Sequence, residues 1–152
     1  MLREALWQHP TTRRSLFYRL YQPPESRGLV ILIHGFGEHG GRYEAMASAL
    51  AGRSLSVACA DLWGHGRSAG QRGDSERFVQ YLEDLDALTA QVFLPSTVHQ
   101  RYTLFGHSFG GLLALAWAIR GELPCQSLII QSPLLGVGYP VPRWKTSLAR
   151  GL

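Results

Sequence analysis

The chain has 152 residues, 45% of them hydrophobic and 17% charged, with a formal net charge of +4. That length supports one domain with a real core, and that balance excludes a disordered chain. The basic residues are scattered rather than interleaved with aromatics, so no nucleic-acid surface is expected, and no window is apolar for long enough to span a bilayer.

In chain order, the N-terminal MLREALWQHPTTRR lacks the apolar core of a signal peptide. Residues 15–21 (SLFYRLY) read as an early strand closed by Pro23-Pro24. The run GLVILIHG, 28–35, is continuously apolar and ends in glycine, as a strand buried on both faces does. A helix is expected over 42–51, with Tyr43, Met46, Ala47 and Leu50 on one face. SLSVACAD, 54–61, is a second buried strand, and a glycine-rich loop over 64–73 leads to Ser75 as an N-cap. Phe78, Tyr81, Leu82, Leu85, Leu88 and Val92 form the apolar stripe of the next helix, which ends before Pro95. Residues 101–107 make a strand, 109–120 a helix stopped at Gly121, and 126–132 a further strand. The tail, 134–152, fits no element. Strands alternating with helices at these lengths imply right-handed crossovers and a mostly parallel sheet with helices on both faces, an α/β fold. Cys59 and Cys125 each lie in a strand-like run and read as buried free thiols, which points to the cytoplasm.

Two glycine motifs compete for the chemistry. Gly35, Gly37 and Gly40 spell G-x-G-x-x-G between a strand and a helix, and Asp61 closes the next strand where a ribose-binding acid would stand. Against a dinucleotide site, Glu38 puts a carboxylate where a pyrophosphate would lie, and His34 and Phe36 crowd the backbone approach. The second motif is Gly106-His107-Ser108-Phe109-Gly110, at a strand-to-helix junction where a nucleophile elbow must lie. The flanking glycines leave room for a sharp turn, and the helix start aims free N–H groups at the serine. A glycine-rich helix start with a capping serine is the structural alternative.

The stretches HGFGEHGGRYEAMASAL, DLWGHGRSAGQRG and GHSFGG, in this order, resemble the α/β-hydrolase superfamily. More narrowly they resemble its monoacylglycerol lipase and lysophospholipase branch, the serine aminopeptidase S33-like hydrolases, over about residues 15–135. The resemblance implies Ser108 as nucleophile and the backbone N–H groups of Phe36 and Phe109 as the oxyanion hole. It implies structural roles for His34 and His107, and a loop-shaping role for Asp61 and the Gly64-His65-Gly66 turn. The expected reaction is hydrolysis of small-molecule or lipid carboxylic esters through an acyl-enzyme, with a thioesterase or peptidase of the same fold as the alternative. No metal and no organic cofactor is implied.

A serine nucleophile needs a general base, and in this fold the order is serine, acid, histidine. After Ser108 the sequence has no histidine, and its one acid is Glu122; the histidines stand at 9, 34, 39, 65, 99 and 107. A rearranged triad would have to draw on His39 or His65. Residues 1–135 are thus expected to form the N-terminal part of a hydrolase domain, and 136–152 the start of a cap or a disordered tail, leaving the chain inactive alone, or a non-catalytic binding remnant. The strand at 126–132 would then present an open apolar edge, with Trp117, Tyr139 and Trp144 adding to an exposed patch, and self-association is expected through it.

Overall fold

A computed structural model describes residues 1–74, 77–121 and 124–136. Six strands, β1 (Leu2–Gln8), β2 (Ser15–Tyr21), β3 (Leu29–Ile33), β4 (Ser56–Ala60), β5 (Tyr102–His107) and β6 (Cys125–Gln131), form one sheet in the order β1-β2-β4-β3-β5-β6. The neighbours β4-β3-β5-β6 are parallel, and the β1-β2 hairpin joins antiparallel to β4. The expected α/β architecture is therefore present, with an antiparallel margin.

β1 is the element that periodicity missed. Its Ala5 and Trp7 pack on the core, while Leu2 and Leu6 are exposed, so apolar residues sit on both faces and no one-sided alternation marks it. Its signal is the turn: His9 and Arg14 close the hairpin with a backbone hydrogen bond of 2.8 Å, around Pro10 and two threonines.

The helices divide between the two faces of the sheet. One face carries α2 (Phe78–Leu88), prolonged by a π-helical turn at Thr89–Phe93, and α3 (Phe109–Arg120). There the expected stripe of Tyr81, Leu82, Leu85 and Leu88 meets Leu104, Leu113 and Trp117 in the main core. Trp117 is buried against Tyr102, and its indole N–H bonds Asp86, so it adds nothing to an exposed patch; Tyr139 and Trp144 lie outside the described residues. The other face carries α1 (Glu44–Ala51) alone among the described helices, entered through a 3-10 turn at Gly40–Tyr43. Ala47 packs there with Tyr21, Val30 and Val57. Beyond α1, toward β6, no described helix covers that face.

Two local expectations change. The N-cap of α2 is Arg77, whose N–H donates to the Gln80 side chain; Ser75 lies outside the described residues. Cys59 is buried as expected, but Cys125 starts the edge strand and is only half-buried.

Candidate active site

The junction of β5 and α3 turns as sharply as the glycines allow. Ser108 has φ 52° and ψ −116°, a conformation that L-residues rarely adopt and that costs on the order of 1–3 kcal/mol. Two glycines make the turn sterically feasible. A Cβ on Gly106 would stand 2.3 Å from the carbonyl oxygen of Gly110, and one on Gly110 would stand 2.2 Å from that of Ile33. The turn is tied down on the main chain. Ser108 N–H donates to Gln131 O at 2.9 Å, and Ser108 O accepts from Gly111, Leu112 and Leu134 at 3.0–3.1 Å. With its backbone saturated, the serine side chain is the free group: its hydroxyl makes no hydrogen bond among the described residues and stands at the positive end of α3.

The second loop follows β3. Glu38 N–H donates to Gly35 O at 3.2 Å around Gly37, whose φ of 71° needs a glycine. The Glu38 carboxylate curls back to accept from Gly35 N–H at 3.0 Å and from the Tyr43 hydroxyl at 2.7 Å. Burial pushes the Glu38 carboxyl upward, but these donors and Arg42 outweigh it and hold it below the usual range. Burial and the Glu38 carboxylate push the Tyr43 phenol up. The carboxylate that argued against a pyrophosphate is thus the brace of the turn. Phe36 sits at its apex, 59% exposed, with its ring edge-to-face against Phe109 at 6.2 Å. The amide N–H groups of Phe36 and Phe109 have no hydrogen-bond partner among the described residues. Phe78 and Tyr81 pack on Phe109 in turn, so an aromatic wall flanks the serine.

Beneath the loops lies a buried polar layer. Asp61 accepts from Gly40 N–H, Arg67 N–H and the Arg19 guanidinium, each at 2.8 Å, and is fully buried. An acid that is fully buried and already bonded to three protein donors is closed to a ribose, which removes the dinucleotide assignment. His34 is also fully buried; its Nε2 accepts from Leu62 N–H at 2.9 Å, so Nδ1 carries the proton toward Gly35 O at 2.8 Å. Burial lowers its pKa to about 4 against the hydrogen bond to Gly35, which keeps the ring neutral. His34 and Asp61 therefore hold the two loops to one another.

His65 is buried between His34 and Phe36, with Nδ1 at 2.9 Å from Trp63 O; His39 is exposed. His107 is half-buried, with a buried Nδ1 that has no partner among the described residues. His9 and His99 are spent on the β1-β2 turn and on Ser26. None of the six hydrogen-bonds the Ser108 hydroxyl. No cluster of metal-binding side chains occurs among the described residues, and none of their helices is long and apolar enough to cross a membrane.

The chain is similar to known proteins in sequence and in fold. The model of the serine aminopeptidase S33 family matches residues 24–152. The chain is 35% identical over 125 residues to human monoglyceride lipase, covering 79% of this chain and 40% of that protein. It is 31% identical over 119 residues to the monoacylglycerol lipase of Mycolicibacterium smegmatis, covering 78% of this chain and 42% of that one. The crystal structure of a monoacylglycerol lipase from Paleococcus ferrophilus superposes with a TM-score of 0.71 at 32% identity, covering 90% of this chain and 50% of that one. The chain spans half or less of the length of these relatives.

Proposed function

Because this chain belongs to the serine aminopeptidase S33 family of α/β-hydrolases, on its monoacylglycerol lipase branch, we propose that it is built to cleave carboxylic esters of small or lipid alcohols with Ser108 as nucleophile. Ser108 Oγ attacks the ester carbonyl carbon, and its proton leaves to a base. The carbonyl oxygen becomes an oxyanion that the N–H groups of Phe36 and Phe109 receive. Collapse expels the alcohol and leaves an acyl group on Ser108, which water then removes. Donors aimed where charge develops do most to lower the barrier in such chemistry, each contributing about 3–4 kcal/mol. The observation that carries this proposal is the strained Ser108 at the head of α3, with a free hydroxyl and two unpartnered amides from facing loops. The Phe36, Phe78 and Phe109 wall suits an apolar acyl chain.

Residues 1–152 carry no histidine after Ser108. A general base contributes roughly 10²–10⁴-fold, so we expect this chain alone to acylate and deacylate slowly. A cytoplasmic setting, which keeps Cys59 and Cys125 reduced, belongs to the same proposal.

Slow deacylation makes the test direct. Incubated with 4-nitrophenyl butyrate at mildly alkaline pH, the chain should accumulate a butyryl group on Ser108, seen by peptide mass spectrometry and absent from Ser108→Ala. A thioester and an amino-acid anilide run in parallel distinguish the ester preference from thioesterase or peptidase chemistry. Acylation elsewhere, or equal acylation of the alanine variant, would remove Ser108 from the mechanism.

A further inference from the structure

A main-chain donor makes no demand on its own side chain, yet the Phe36 ring is engaged on three sides. It stands edge-to-face against His65 at 5.4 Å and against Phe109 at 6.2 Å. Its tip lies over Gly73. A methyl there would press on Phe36 Cζ at 3.1 Å, and the φ of 70° at that position also favours glycine. Gly73 closes the loop that begins at Gly64, since Gly73 N–H donates to Gly64 O at 3.0 Å. A compact loop with joined ends results, and it is fixed to the sheet. Phe17 N–H of β2 donates to Ser68 Oγ at 2.9 Å, Ala69 N–H donates to Ser15 O at 3.0 Å, and Arg67 N–H donates to the buried Asp61.

The turn that presents the Phe36 amide has less to hold it. Its own hydrogen bond, from Glu38 N–H to Gly35 O, is long at 3.2 Å and spans Gly37. The Glu38 carboxylate braces the flank toward Tyr43. We propose that the Phe36 ring is the second brace: seated between His65 and Gly73, it holds the N–H of its own residue toward the developing oxyanion. Gly73 is thereby a positioning residue, which acts through Phe36 and touches no substrate. The proposal rests on the ester hydrolysis proposed above and adds the 64–73 loop to its machinery. Aromatic contacts fix the angle of a ring as well as its distance, because edge and face carry opposite partial charge. A ring held at its far end leaves the Cα–Cβ axis, and with it the adjacent amide plane, little room to rotate.

The test uses the full 152-residue chain and the rate at which 4-nitrophenyl acetate, butyrate and hexanoate acylate Ser108. Phe36→Ala should slow acylation about tenfold, part of the roughly 10²–10³ that loss of a whole oxyanion donor costs. The factor should be the same for all three esters. Gly73→Ala should slow it too, and the double variant should be no slower than Phe36→Ala, because both changes break one contact. Without any substrate, exchange of the Glu38 amide hydrogen, read by NMR, should quicken in Phe36→Ala. A loss that grows with acyl length would make the ring a wall of the acyl site and overturn the proposal. Losses that multiply in the double variant, unchanged rates, or unchanged Glu38 exchange would overturn it as well. Wild-type Ser108 that takes no acyl group is a separate result, which would overturn the hydrolysis on which the proposal rests.

Discussion

At the scale of single residues, Ser108 is held where its own conformational preference would not put it. Its φ of 52° and ψ of −116° survive because four main-chain hydrogen bonds and two close glycine contacts determine the turn. Glycine adopts such angles without penalty, so Ser108→Gly should raise the unfolding free energy by about 1 kcal/mol in urea denaturation. No gain, or a loss, would mean that the serine hydroxyl contributes to stability. The elbow was legible in the sequence because sterics alone dictate glycine at 106 and 110. The oxyanion amides proposed at Phe36 and Phe109 rest on the resemblance, since a main-chain donor leaves no trace in residue type. What the letters concealed was the use of Glu38, whose carboxylate braces its own turn through Gly35 and Tyr43. The loop-shaping role of Asp61 came from the resemblance, and its bonds to Gly40, Arg67 and Arg19 show how it acts.

At the scale of elements, the strands and helices that alternate along the chain were readable from period alone, because burial on both faces writes continuous apolar runs. The hairpin β1-β2 was half-visible, since an edge strand with exposed Leu2 and Leu6 has no one-sided pattern. Its attachment to α2 also escaped sequence reasoning. Arg14, at the start of β2, lies 3.4 Å from Asp84 of α2, with both side chains buried. Burial pushes the Asp84 carboxyl up to about 7 despite Arg14. A raised carboxyl pKa favours the folded state at low pH, and that advantage is lost as pH rises from 3.8 toward 7. His34 acts oppositely: lowered from 6.5 to about 4, it gives full stability above 6.5 and loses it as pH falls toward 4. His9, also lowered by burial, adds in the same direction as His34. In the wild type these slopes offset one another. Asp84→Asn should therefore expose the histidines, with stability falling by about 3 kcal/mol between pH 6.5 and 4. Urea midpoints across that range check it, and identical slopes in variant and wild type would mean that Asp84 stays ionised beside Arg14.

At the scale of the whole molecule, the sheet brings together what the chain keeps apart. Phe36 and Ser108 are carried side by side because β3 and β5 are parallel neighbours, with Ile33 opposite Gly106. Both loops therefore leave the same end of the sheet, where ligands bind in α/β folds. Among the described residues the same topology places β6 beside β5, so the strand whose Gln131 carbonyl accepts from Ser108 N–H borders the elbow directly. Among the described residues none of the six histidines is bonded to the Ser108 hydroxyl. The proposed reaction, with Ser108 unassisted beside the two amides, has its own kinetic signature. The rate at which a fluorophosphonate labels Ser108 should be slow at pH 7 and should climb steadily with pH, following hydroxide. It should show no plateau near 6.5, and Ser108→Ala should abolish the labelling. Fast labelling that levels off with a midpoint in the histidine range would contradict this, because a base would then be acting on the serine within these 152 residues.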